Sequence, residues 1–156
     1  PQKFHSLALP YLEKAITNKS IDLAKVSRLL QNRIEVLTEI PSKVGFFNSL
    51  DDYDLSIYEH KKMKTTMASS LESLKAALPV LEKLEPWNEQ TLHDALMSLV
   101  QSMGIKNGQM LWPIRTALSG WQVTPGGAIE IADILGKDES LRRIRVGIER
   151  LEKALS

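Results

Sequence analysis

Two stretches of this chain carry polar chemistry that helix packing alone does not require. The first is Leu29-Leu30-Gln31-Asn32-Arg33-Ile34-Glu35-Val36-Leu37. Projected at about 100° per residue, Arg33 falls inside the apolar arc of Val26, Leu29, Leu30 and Leu37. A guanidinium on such an arc is costly unless it reaches a carboxylate, the rim of the core or a ligand. Arg33 is therefore half of an internal ion pair, or a snorkelling side chain, or a planar donor fork aimed at a base or phosphate. The second stretch runs from Gly108 to Gly136. Trp112-Pro113-Ile114-Arg115 sets Arg115 off the face made by Met110, Ile114, Ala117 and Leu118. Ser119-Gly120-Trp121-Gln122-Val123-Thr124-Pro125-Gly126-Gly127 then forms a glycine-marked loop feeding a helix start. It is either an ordinary interhelical turn or a source of N–H and C=O groups for the edges of splayed bases.

The elements that must position these residues read as helical nearly throughout. A first helix is expected from about Leu7 to Thr17, with Leu9, Leu12 and Ile16 on one side. Asp22 opens a long second helix with the stripe Leu23, Val26, Leu30, Ile34 and Leu37, and Pro41 either ends it or starts a short turn. Val44, Phe46 and Phe47 make an apolar knot, and Asp51-Asp52-Tyr53-Asp54 reads as a loop. Met67, Leu71, Leu74, Leu78 and Leu81 give a helix over about 66–84. Glu85-Pro86-Trp87 breaks the pattern, and Asn88 caps the next helix with Trp87 and Leu92 spaced as a hydrophobic staple. Further helices are expected over about 88–103, 108–119, 127–135 and 138–155. The expected fold is all-α, with two small packed helical subdomains over 1–84 and 85–156.

Composition removes several classes of chemistry. The chain has no cysteine, so disulfides and thiolate metal sites are out and a cytoplasmic setting is the default expectation. His5, His60 and His93 form no local ligand pair, and no metal site is expected. Asp51–Asp54 lacks the glycine and closing glutamate of an EF-hand loop. No apolar run approaches the ~18 residues of a membrane span. No glycine-rich phosphate loop, nucleophile elbow or nucleophile–base pair is present, so no catalytic residue is assigned. The formal net charge is only +1, so any nucleic-acid contact must come from local basic clusters. Lys61, Lys62, Lys64, Arg142, Arg143 and Arg145 are candidates for phosphate contacts, the alternative being solvated faces. Pro1-Gln2-Lys3-Phe4 has no signal-peptide pattern and reads as the cut end of a longer protein.

Three linked motifs carry a resemblance. They are Pro113-Ile114-Arg115-Thr116-Ala117-Leu118-Ser119-Gly120, then Thr124-Pro125-Gly126, then Leu135-Gly136-Lys137-Asp138. In order and spacing they resemble the C-terminal, anticodon-binding part of bacterial glutamyl-tRNA synthetases. Arg33, Leu37-Thr38-Glu39-Ile40-Pro41, Phe46-Phe47, Tyr53 and Trp87 extend the likeness over nearly the whole chain.

The resemblance implies a helical module that holds the anticodon loop of tRNA(Glu) splayed, with no cofactor of its own. It implies that Arg33 recognises the third anticodon base, cytosine, and that Arg115 and the Thr124-Pro125-Gly126 turn meet the neighbouring bases. Many family members have a leucine directly after Pro-Gly. Here Gly127-Ala128 follows, and Ala128 or Ile129 is left to make that apolar contact. The resemblance also implies a missing N-terminal catalytic domain, in which ATP and Mg²⁺ activate glutamate. Lys61-Lys62-Met63-Lys64-Thr65 loosely echoes the Lys-Met-Ser-Lys-Ser loop of class I synthetases, but no parallel sheet exists here to support it. The rival readings are a free-standing helical adaptor and a repurposed tRNA-binding module without ligase activity. The purified chain is accordingly expected to support no glutamate-dependent exchange of pyrophosphate into ATP. Measurable exchange would overturn that expectation.

Overall fold

The computed structural model describes residues 2–156. Eight α-helices follow one another: α1 (Gln2–Ala15), α2 (Leu23–Leu30), α3 (Ile40–Val44), α4 (Met67–Glu82), α5 (Glu89–Met103), α6 (Asn107–Ser119), α7 (Ala128–Leu135) and α8 (Lys137–Leu155). Tighter 3₁₀ turns lie at Leu37–Glu39, Gly45–Phe47 and Leu55–Tyr58. Among the described residues the one β-type pairing is an isolated bridge between His60 and Thr65. The all-α class is as expected.

Local signals set most boundaries. Thr66 Oγ1 accepts from Ser69 N at 3.0 Å while Ser69 Oγ accepts from Thr66 N at 2.9 Å, a reciprocal cap on α4. Asn88 and Thr91 do the same for α5. The stretch 51–54 is a loop, as expected. The exceptions are α1, which starts at Gln2 and not near Leu7, and α2, which stops at Leu30 and does not reach Leu37. Arg33 N turns back to Leu30 O at 2.8 Å, and Arg33 Nη1 donates to Leu29 O at 2.6 Å. The arginine thus satisfies a carbonyl that the helix end leaves open, as basic side chains do at C-termini. Arg33 is not on an apolar helical face; it ends the helix. Ile34 and Leu37 still pack against the core, which explains why their spacing mimics a continuing helix. Pro41 enters the first turn of α3, where a proline is tolerated.

The core is continuous across the expected border at 85. α4 packs most extensively on α8 and α6, which lie beyond that border. Side chains of the first half (Phe46, Phe47, Tyr58, Leu74, Leu81) and of the second (Leu92, Met110, Ile114, Ile144, Leu151) belong to one buried cluster. Glu85–Trp87 is a connection between α4 and α5, and Trp87 Nε1 donates to Ala132 O of α7 at 2.9 Å. α8 makes close contact possible through Gly147, where an added Cβ would lie 2.7 Å from Tyr58 Oη. Tyr58 in turn shares a 2.7 Å hydrogen bond with Tyr53 Oη.

Arg143 requires a correction. Offered by sequence as a phosphate contact, it is fully buried. Its Nη1 donates to Phe46 O at 2.7 Å and to Leu118 O at 2.6 Å, and its Nε donates to Glu139 at 2.7 Å. No phosphate can reach it. Arg142 also grips Glu139, through Nε at 2.8 Å and Nη2 at 2.7 Å. Arg145 pairs with Glu82 at 2.7 Å.

Replacing Arg143 with Met should therefore lower unfolding free energy by about 3–5 kcal/mol, the range for breaking a buried charged network. Two carbonyls lose their donor in that variant. Denaturant titration measures it, and a loss below about 1 kcal/mol would show the bonds to be dispensable. Arg142, then Arg143, hold the Glu139 carboxyl down to about 2 from its ordinary 4.5. With the folded value below the unfolded one, this stabilisation is complete above about pH 5 and fades as pH falls toward 2. The melting-temperature gap between wild type and Glu139→Gln should accordingly be constant near neutrality and shrink on acidification. A gap independent of pH would contradict the assignment.

Candidate nucleic-acid interface

A cleft of about 350 Å³ opens between the end of α2, α3 and the loop after α6. Arg33, Ser42 and Lys43 form one wall. Trp121, Val123, Thr124, Pro125 and Gly126 form the other. Residues about ninety positions apart in sequence thus face one another across a single groove.

The loop wall is held in three ways. Gly126 has φ +79°, and an added Cβ would collide with Leu29 Cδ1 of α2. Only a glycine meets both demands, so the turn can lie directly on α2 near its end at Leu30. Trp121 packs edge-to-face on Phe46, with ring centroids 4.9 Å apart, and lies against Gly45. Arg115 braces the loop from behind. Its Nη1 donates to Thr124 Oγ1 at 3.0 Å and its Nη2 to Gln122 O at 2.6 Å. Thr124 Oγ1 passes the bond on to Gly126 O at 2.9 Å. The Arg115 guanidinium also lies 4.5 Å from the Trp112 ring centroid, a cation–π contact. Burial pulls its pKa down from the ordinary arginine value. Arg115 does not line the cleft; its donors serve the loop.

The opposite wall presents Arg33, with 42% of its side chain exposed. Its Nη1 is fixed on Leu29 O, and its Nη2 lies 3.6 Å from Glu130 Oε2. Arg33 thus has a half-exposed acidic partner, and its side chain opens on the groove. Glu130 Oε1 accepts from Gly127 N at 3.0 Å, which caps α7. Neither Ala128 nor Ile129 lines the cleft, because Ala128 is buried at the start of α7. The apolar side chains at the groove are Trp121, Val123 and Pro125, of which Val123 is 76% exposed.

Lys61, Lys62 and Lys64 lie on an exposed turn closed by the His60–Thr65 bridge, with Lys64 at φ +59°. The turn abuts the start of α6, where Gln109 Nε2 donates to Lys64 O at 3.3 Å. The His60 ring packs on Trp112 at 4.2 Å. A continuous strip therefore runs from the lysine turn through Trp112 and Arg115 to the loop. Arg142 and Arg145 lie on α8 with their acidic partners and are not brought to the cleft.

Sequence reasoning left Lys43, Ser42, Val123, Trp121 and Glu130 unassigned. Trp121 carried the best signal, since a large aromatic in a glycine-marked loop needs a surface to rest on. Glu130 gave none, because acidic residues are common in a first helical turn.

The model of a family described as "Anticodon binding domain" matches residues 3–148. The glutamate–tRNA ligase of Clostridium acetobutylicum is 55% identical over 151 residues, covering 97% of this chain and 31% of that protein. That of Clostridium tetani is 54% identical over 155 residues, covering 99% and 32%. The chain thus spans about a third of the length of the curated relatives it matches. Among solved structures, a glutamate tRNA ligase from Elizabethkingia meningosepticum shares the fold over 95% of this chain and 30% of its own, with a TM-score of 0.72 at 19% identity. With the family model matched over almost its full length, this chain belongs to the anticodon binding domain family.

Proposed function

We propose that this chain reads the anticodon loop of tRNA(Glu) as the recognition part of a glutamate–tRNA ligase. The observation that carries the reading is the cleft, in which Arg33 faces the Thr124-Pro125-Gly126 turn. A single-stranded base entering it meets donors on one side and backbone groups on the other, with Trp121 and Val123 as apolar surface. The free N–H groups of Arg33 complement the O2 and N3 acceptors of cytosine. Guanine presents a different edge and a larger body, and it is the third anticodon base of tRNA(Gln). Lys43 lies on the same wall, suited to a flanking phosphate. Lys61, Lys62 and Lys64 continue the basic surface along the strip described above.

Arg115 acts in this reading by shaping the turn and not by touching a base. Thr124 and Gly126 act through the backbone geometry their hydrogen bond fixes. Glutamate activation, with ATP and Mg²⁺, is assigned to the part of the ligase that this chain does not span, which would be its second partner. Among the described residues no helix is long and apolar enough to cross a membrane.

The test compares binding of a tRNA(Glu) anticodon hairpin and its third-base guanine variant by wild type and Arg33→Ala at fixed salt. One base contact is worth roughly 1–3 kcal/mol, about 5- to 150-fold, and the preference for cytosine should fall by that order. A phosphate contact would instead weaken both hairpins alike. An unchanged ratio with a lowered melting temperature would make Arg33 a helix-ending residue and nothing more.

A further inference from the structure

We propose that Glu130 is a positioning residue for base recognition: its carboxylate aligns Arg33 with the cleft and makes it read hydrogen bonds in preference to charge. The inference rests on the reading of the cleft given above.

The two oxygens of Glu130 serve different elements. Oε1 accepts from Gly127 N at 3.0 Å, which anchors the carboxylate to the turn at the start of α7. Oε2 lies 3.6 Å from Arg33 Nη2. Arg33 Nη1 is meanwhile held on Leu29 O at 2.6 Å. The guanidinium is thus hydrogen-bonded to α2 on one side and within ion-pair range of a carboxylate of α7 on the other. Its rotation is restricted before any ligand arrives, and that restriction is referenced to the same turn that forms the facing wall.

The pair is too exposed, at 42% and 36% of its side chains, to contribute much to stability. Its consequence is electrostatic. An unpartnered guanidinium on a rim attracts any phosphate, and phosphate contacts carry no sequence information. A carboxylate beside it cancels much of that attraction. A neutral base edge, which complements the remaining donors, is penalised far less. Glu130 therefore lowers affinity for the RNA backbone and raises discrimination, the repulsive side of specificity.

The experiment uses the whole chain and the same two anticodon hairpins, cytosine and guanine at the third position. Glu130→Gln keeps an oxygen for Gly127 N and removes the charge. It should bind the guanine hairpin more tightly than wild type does and reduce the cytosine-to-guanine ratio by roughly three- to tenfold, part of the range of one base contact. Its salt dependence should steepen by about 0.7, the slope of one added single-strand phosphate contact. In the Arg33→Ala background, adding Glu130→Gln should change the ratio no further, because Glu130 acts through Arg33. This cycle remains decisive if the Gln variant melts at a lower temperature. A ratio unchanged in Glu130→Gln, or a further fall in the double variant, overturns the inference. If Arg33→Ala abolishes the preference and Glu130→Gln leaves it intact, only the role of Glu130 fails. If wild type shows no preference for cytosine, the reading of the cleft fails with it.

Discussion

The structure depends on one buried guanidinium. Arg143, on the last helix, donates to Phe46 O and Leu118 O from a fully buried position. These two carbonyls adjoin the elements that carry the opposite walls of the cleft. Phe46 follows α3, which carries Ser42 and Lys43, and Leu118 precedes the loop that begins at Trp121. Phe46 also packs against Trp121 directly. A planar donor fork at this point fixes the spacing of the two walls, which a flexible ammonium could not do with the same geometry. Glu139, held by Arg142 as well, supplies the counter-charge that makes a buried arginine tolerable.

Three arginines therefore have three fates that their own sequence surroundings do not distinguish. Arg33 presents donors to a groove, Arg115 holds a loop from within, and Arg143 clamps the core. The helical class, the cap at Asn88 and the glycine-marked loop were legible because each is decided by a few adjacent residues. The end of α2 was not, because Ile34 and Leu37 keep a helical spacing while the chain turns, and both still reach the core. The stop comes from a side chain bonding back to its own helix. The burial of Arg143 was illegible for another reason: its partners lie 25 and 97 residues away, beyond any local pattern. The border at Glu85 illustrates the same limit, since a break in periodicity marks a turn and not a gap in packing.

The cleft is built with little left to rearrange. Gly126 sits against Leu29, Thr124 is bonded to Arg115 and Gly126, and Gly127 is bonded to Glu130. Such internal satisfaction lowers the ordering cost that any ligand of the cleft would have to meet. The bulk charge of +1 is consistent with that economy. The basic groups are few: at the cleft Arg33 is paired with Glu130, and behind it Arg115 is bonded into the loop.

The last helix also reaches the first half at a second point. Arg150, seven residues after Arg143, donates to Tyr53 O at 2.7 Å and lies 4.4 Å over the Tyr53 ring. Both grips span 97 residues of chain. During synthesis from the N-terminus the aromatic knot around Phe46 emerges long before its clamp exists. At about 5–20 residues per second, the delay is on the order of 5–20 seconds. Over that interval α1, α2 and α3 can pack on one another, but α4 still lacks the helix it packs against most extensively. Until α8 docks, the two sides of the cleft are joined by contacts such as Phe46 on Trp121 alone, without the arginine that ties Phe46 O to Leu118 O.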